Sequence, residues 1–268
     1  MKKSYLFLFI IIVVIVGLSS CKTEFEKVRE SNDPKLIYEQ AMKYYEAEEW
    51  LKAQTLFELV LNTYRGRKES EDLYFAYANS YYNLKQYILA SHYFETFSTT
   101  FGYSEKKEEA DFMAAYSNYQ MSPSYKLDQQ YTMDAIDGFQ RFVNMYPYSE
   151  RAEECNKLID ELRGKMEKKA IEEASLYRDL KRYQAAIHVY DNILKEFPET
   201  ERAEEIRYYM VLTAYNLAEN SVYEKKKERY EAVLNAYKIF TKKYPKSKYR
   251  RELKETNNQA NMALKSLS

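Results

Sequence analysis

An all-α fold of five stacked helical hairpins is what this sequence predicts, and three observations predict it. Take Ala53, Ala90, Ala135, Ala186 and Val233 as anchors and read four, seven and eleven positions on. The residues there are Phe57, Val60 and Tyr64; Phe94, Phe97 and Phe101; Phe139, Phe142 and Tyr146; Tyr190, Ile193 and Phe197; and Tyr237, Phe240 and Tyr244. All twenty positions are apolar in a chain that is 46% apolar, odds of roughly two in ten million before allowance for choice of register, and the spacing draws one helix face. Second, five Gly and five Pro in 268 residues, with 31% charged residues, suit long helices and short turns and offer little to an all-β fold. Third, Pro147, Pro198 and Pro245 each lie twelve residues after an anchor, where proline closes a helix.

The chain opens on an address. Lys2 and Lys3 precede an unbroken apolar run from Tyr5 to Val16, then Gly17-Leu18-Ser19-Ser20-Cys21. A charged start, an apolar core and a small-residue cleavage site make residues 1–20 a targeting segment, too short for a convincing spanning helix. Leu18-Ser19-Ser20-Cys21 resembles the bacterial lipobox. That resemblance implies cleavage before Cys21, a diacylglycerol on its sulfur and an acyl chain such as palmitate on its amino group. Several acyl chains together hold a protein stably on a membrane without spanning it. Lys22 stands where Asp would imply retention at the inner membrane, so the outer membrane is expected, on its periplasmic face. Cys155 is then the one free thiol, which leaves no intramolecular disulfide.

Residues 21–33 read as the lipidated cysteine and a polar tether, and Asp33-Pro34 as the cap and first residue of a helix. Trp50, Tyr87, Tyr183 and Tyr230 lie three residues before an anchor, with Thr132 the exception; Ala41, Ala78 and Ala174 lie twelve before, and Tyr44, Tyr81 and Tyr177 nine before. These offsets resemble the tetratricopeptide (TPR) pattern over residues 34 to about 262. The resemblance implies a right-handed solenoid with a concave groove, divided here into an N-terminal half, 34–148 (repeats 1–3), and a C-terminal half, 149–268 (repeats 4–5). The anchors are 37, 45, 51 and 47 residues apart against the family's 34. The excess is assigned to a long first helix of repeat four, from about Ser149 to Tyr177, and to insertions at 121–130 and 220–227.

Composition excludes several chemistries. Outside the first twenty residues there are 39 bases against 41 acids, a net charge of −2, so the cationic excess that drives nucleic-acid binding is missing. The glycines, Gly17, Gly66, Gly102, Gly138 and Gly164, never fall two within a turn, which removes phosphate-cradling loops. His92 and His188 occupy equivalent positions two repeats apart and cannot share a metal. Cys155 has no basic neighbour in the adjacent turn to activate it and reads as packed. Acid runs such as Glu153-Glu154 suit solvated faces. No enzyme, no metal and no cofactor are expected beyond the acyl groups on Cys21.

Two features suggest binding instead. In the doublets Tyr44-Tyr45 and Tyr81-Tyr82 the first member fills the core position, so Tyr45 and Tyr82 are expected to line a groove suited to an aromatic-bearing peptide. The run Lys242, Lys243, Lys246, Lys248, Arg250 and Arg251 contains no acid, and Lys246, Lys248, Arg250 and Arg251 are the candidate partner-binding residues.

A lipobox with five TPR-like repeats resembles the BamD family of outer-membrane assembly lipoproteins. The residues that carry it are Ala115-Tyr116, Ser122-Pro123, Asp128-Gln129, Ala135-Ile136, Phe139-Gln140-Arg141-Phe142 and Tyr146-Pro147 in repeat three. Lys226-Lys227-Glu228-Arg229-Tyr230 and Tyr244-Pro245-Lys246-Ser247-Lys248-Tyr249 in repeat five join them. Leu127 departs from the Arg of many members. The resemblance implies a scaffold of the BAM complex. Its C-terminal repeats would hold the periplasmic POTRA domains of a BamA-like barrel protein, and its N-terminal repeats would meet unfolded β-barrel substrates. Other lipid-anchored TPR adaptors, a pilotin or an envelope coordinator, share parts of the pattern. A SusD-type glycan-binding lipoprotein fits less well, being about twice as long.

Overall fold

A computed structural model describes residues 23–267. These residues form twelve helices and no strand: α1 (Glu24–Arg29), α2 (Pro34–Glu46), α3 (Trp50–Val60), α4 (Ser70–Asn83), α5 (Tyr87–Thr100), α6 (Lys107–Met121), α7 (Gln130–Met145), α8 (Ala152–Asp179), α9 (Tyr183–Glu196), α10 (Ala203–Glu219), α11 (Tyr223–Lys243) and α12 (Arg250–Ser266). The five TPR-type hairpins are α2–α3, α4–α5, α6–α7, α8–α9 and α10–α11. The amphipathic helix α12 buries Leu253, Thr256 and Ala260 against the last, as a solenoid's terminal cap does.

The periodic positions form the core. Of the twenty, sixteen are buried; Phe101, Tyr146 and Tyr244 are half-buried at helix ends, and Tyr237 is half-buried within α11. The anchors have small side chains because two helices touch there, and aromatic residues fill the space one and two turns on. Phe75, for example, packs edge-on to both Phe94 and Phe97, ring centroids 5.7 and 5.3 Å apart.

Turns within the hairpins are made without glycine. Glu48, Lys85 and Lys181 take left-handed φ of 58°, 60° and 57° at equivalent positions, five residues before their anchors. The next residue's amide reaches back to the end of the first helix: Glu49 N–H to Tyr44 C=O, Gln86 to Tyr81 and Arg182 to Tyr177, each at 2.8–2.9 Å. This is the helix-closing bond pattern that normally recruits glycine. A left-handed L-residue costs about 1–2 kcal/mol, and glycine's freer unfolded chain gives back about 0.4–1. Lys85→Gly is therefore expected to stabilise the protein by about 0.5–1 kcal/mol, read as a raised urea midpoint. A lowered midpoint would mean that the lysine makes compensating contacts.

Between hairpins a hydroxyl performs two tasks. Ser104, Ser149 and Thr200 accept the amide hydrogen two residues on, at 3.0–3.1 Å. They also donate to Glu71, Glu108 and Glu167 on the first helix of their own hairpin, at 2.5, 2.5 and 2.6 Å. The three repeat endings, Phe101-Gly102-Tyr103-Ser104, Tyr146-Pro147-Tyr148-Ser149 and Phe197-Pro198-Glu199-Thr200, thus fasten the two helices of a repeat together.

Three expectations change. Residues 23–33 are not a loose tether. Thr23 and Glu26 form a reciprocal capping box that starts α1, Val28 is buried, and Phe25 meets Tyr44 edge-on at 5.8 Å. The insertion at 220–227 is mostly helix, because Tyr223-Glu-Lys-Lys-Lys-Glu-Arg is rich in helix formers and extends α11 to 21 residues. Only residues 220–222 turn, closed by Arg229 on the Ser221 hydroxyl and the Tyr230 hydroxyl on Glu219.

The chain divides into two compact units at another place than 148/149. The first comprises residues through Ser122 and Gln130–Ile159; the second comprises Pro123–Gln129 and Asp160 onward. The boundary falls inside the 28-residue α8, whose early residues Cys155 and Ile159 are buried in the first unit. The insertion after α6 belongs to the second unit. The Gln129 side-chain amide, buried, donates to the carbonyls of Ser124 (2.8 Å) and Leu127 (3.0 Å). Lys169 donates to Leu127 C=O at 2.6 Å, and Lys168 sits over the Tyr125 ring.

Candidate functional site

The first unit carries a trough between α5 and α7, floored by α6. It exists because the floor is made of small side chains. Ser91 on α5 is buried and donates to Ala114 C=O at 3.1 Å, drawing α5 down onto α6. On the other side Gly138 of α7 lies so close to α6 that a Cβ there would stand 2.7 Å from the Ala115 Cβ. With Ser98, Ala114 and Ala115 these residues leave an open channel beneath the larger side chains of the walls.

Two adjoining cavities of about 270 Å³ each share Glu95, Asn118 and Arg141. One runs toward Phe142 and Met145; the other runs past His92, Asp134 and Asp137 to Tyr131, Ile88 and Met121. A third, apolar hollow continues from Ile88 and Met121 to Tyr87 and Leu89. Glu95, Asn118 and Arg141 make no side-chain hydrogen bond or ion pair with other described residues, so polar groups of both signs face the channel unspent. Asp111, at the far end, is held by Lys107 (2.6 Å) and by the Tyr146 hydroxyl (2.7 Å). Such a surface suits a chain segment with polar backbone groups and scattered apolar side chains. Periodicity did not reveal it, since its residues come from three helices. The usable signal was Gly138 inside a helix-forming run, a mark of close backbone approach.

The tyrosines expected to line a groove lie elsewhere. Tyr45 is half-buried against the core. Its ring packs edge-on to Trp50 and Phe57 at 5.4 and 6.2 Å, its hydroxyl accepts from the Asn79 side chain at 2.9 Å, and burial raises its pKa. Tyr82 is also half-buried, 5.4 Å from Tyr87 and 6.3 Å from Tyr116, and burial pushes its pKa up to about 12. The doublets' second members thus wedge between helices because an aromatic ring on an inner flank is drawn into the apolar seam. Tyr81, the first member, is buried as expected, its hydroxyl 2.9 Å from that of Tyr77.

Lys246, Lys248, Arg250 and Arg251 are exposed, as are Lys242 and Lys243. Arg250 donates to Pro245 C=O at 2.8 Å and Lys248 lies 4.9 Å from the Tyr249 ring centre. None of the six has a carboxylate partner among the described residues. The neighbouring acid, Glu252, accepts instead from the Tyr208 hydroxyl at 2.8 and 2.9 Å, while Tyr208 stacks on Tyr249 with centroids 4.1 Å apart.

Cys155 is fully buried, and burial pushes its thiol up to about 11, so it is a packing residue with little thiolate at neutral pH. His92 lines the trough of the first unit; His188, in the second, lies 3.3 Å from the Asn192 side chain. Among the described residues no three His, Cys, Asp or Glu side chains gather as a metal site, and no helix is long and apolar enough to cross a membrane. Cys21 and the lipobox lie outside the described residues.

Comparison with known proteins adds the following. The chain resembles a TPR repeats protein from Bacteroides fragilis NCTC 9343 at 14% identity, covering 86% of this chain and 99% of that one with a TM-score of 0.41. It also resembles the TPR2AB domain of yeast Sti1, solved in complex with pHSP90, at 13% identity, covering 85% and 98% with a TM-score of 0.40. Among curated proteins, none matches. Residues 30–229, from the entry to the first hairpin through the start of α11, match the family model described as "YfiO: Outer membrane lipoprotein". With a TPR-type hairpin array and three quarters of its length within that model, the chain belongs to the YfiO family of outer membrane lipoproteins.

Proposed function

We propose that this protein is a non-enzymatic scaffold of outer-membrane β-barrel assembly, anchored by acyl chains on Cys21 at the periplasmic face. In this reading the C-terminal half docks the POTRA domains of a BamA-like protein, and the N-terminal half meets unfolded barrel substrates. The observation that carries it is the family match over residues 30–229, which spans four complete hairpins. Two surfaces support the division of labour. The α5–α7 trough offers an extended chain unspent polar groups flanked by Met121, Tyr131 and Met145. The exposed cations Lys246, Lys248, Arg250 and Arg251 suit an acidic docking face, where charge complementarity speeds association.

The test is recovery of native complexes from detergent-solubilised outer membranes with the full-length protein as bait. A BamA-like barrel protein should be the principal partner. Recovery of pilus or envelope-constriction components in its place would overturn the assignment.

A further inference from the structure

We infer that the hairpin-turn edge of the first unit, carrying Leu51, Ile88 and Met133, lies against the lipid surface. The inference rests on the proposed acylation of Cys21 and concerns what that anchor does to the folded unit. Cys21 is three residues before Glu24, the first residue of α1, so even a fully extended connection reaches only about 10 Å. The start of α1 lies on a definite edge. Phe25 packs on Tyr44 at 5.8 Å, Tyr44 closes the turn from α2 to α3 by accepting the Glu49 amide at 2.8 Å, and the Lys52 ammonium lies over the Tyr44 ring. A bilayer holding the acyl chains therefore lies beside the within-hairpin turns, while the between-hairpin turns, with Tyr103 and Tyr148, occupy the opposite ends of the helices.

The residues on that edge suit a lipid neighbour. Leu51, Ile88 and Met133 each lie two positions before their anchors, at the start of the second helix in repeats one, two and three. They are 62%, 61% and 41% exposed, an apolar residue in register on all three hairpins of the unit. Leu89 is also exposed, and the hollow formed by Tyr87, Ile88, Leu89 and Met121 opens beside it. The equivalent positions of repeats four and five are Gln184 and Glu231, so the apolar register itself is confined to the first unit, although the turns of the second expose Leu180, Val222 and Tyr223 at other positions. Apolar side chains that dip into the boundary between headgroups and acyl chains add burial to the covalent anchor. The unit would then be oriented by its lipid rather than swinging on a flexible leash.

Acylated full-length protein carrying Leu51→Cys, Ile88→Cys or Tyr103→Cys, each labelled with NBD, is bound to phosphatidylethanolamine–phosphatidylglycerol vesicles containing doxyl lipid. Cys155 is buried and escapes the label. The probes at 51 and 88 should be quenched, and the probe at 103, a fully exposed position at the other end of the helices, should not. Flotation separates the two ideas: wild type should float with the vesicles and Cys21→Ala should not. Protein that floats without greater quenching at 51 and 88 than at 103 overturns the orientation and leaves the anchor standing. Wild type that fails to float sinks the anchor, and the orientation with it.

Discussion

Phe94→Ala is expected to cost about 3–5 kcal/mol, a third or more of the roughly 5–15 kcal/mol by which a domain is stable. The Phe94 side chain is fully buried in the second hairpin and lies edge-on to Phe75 at 5.7 Å. Its removal loses the transfer energy of the ring and leaves a cavity that close-packed helices collapse only in part. Tyr45→Ala should cost less, about 1.5–3 kcal/mol: roughly one for the Asn79 bond and the remainder for edge contacts with Trp50 and Phe57, since this ring is half-exposed. Tyr45→Phe should lose only about 1 kcal/mol, the hydrogen-bond part. Denaturant titration of the three variants gives the ordering. A Tyr45→Ala loss equal to that of Phe94→Ala would place Tyr45 wholly in the core; a loss near zero would make it a surface residue despite its contacts.

What the sequence made legible is what a repeat must do in every copy. The anchor-plus-four, plus-seven and plus-eleven positions all face the next helix, so burial writes itself into the residue types five times, and none of the twenty is exposed in the structure. Features that occur once, or that arise from several helices together, were harder to read. Helix α1 announced itself in Thr23 and Glu26, a capping-box pair, but six residues give no periodicity to confirm it. The left-handed turns at Glu48, Lys85 and Lys181 lack the glycine by which such turns are recognised; tertiary packing of the hairpin overrides the local preference. Tyr45 and Tyr82 were placed by excluding one helix face, yet a helix packed on two neighbours has more than one inner flank. The trough depends on Ser91, Ala115 and Gly138, which are 24 and 23 residues apart and share nothing but small size.

Gly138 gives a prediction in which one substitution has opposite signs at two helical sites. Glycine inside a helix is worse than alanine by about 0.5–1 kcal/mol on backbone entropy, so an open site gains from Gly→Ala. Gly164, on α8, is such a site: an added Cβ meets nothing within 4 Å, and Gly164→Ala should stabilise by about that amount. At Gly138 the added Cβ would stand 2.7 Å from the Ala115 Cβ and 3.2 Å from its Cα, and neither atom can swing away as the tip of a long side chain could. Helix α7 must then lift off α6, an overpacking cost of about 1–3 kcal/mol that exceeds the entropic gain. Gly138→Ala should therefore lower the denaturation midpoint while Gly164→Ala raises it. Ala115→Gly in the Gly138→Ala background should recover part of the loss, because it removes the atom that the new methyl strikes. If both alanine variants are stabilised, α6 and α7 separate without penalty and the close approach that floors the trough is not tightly held.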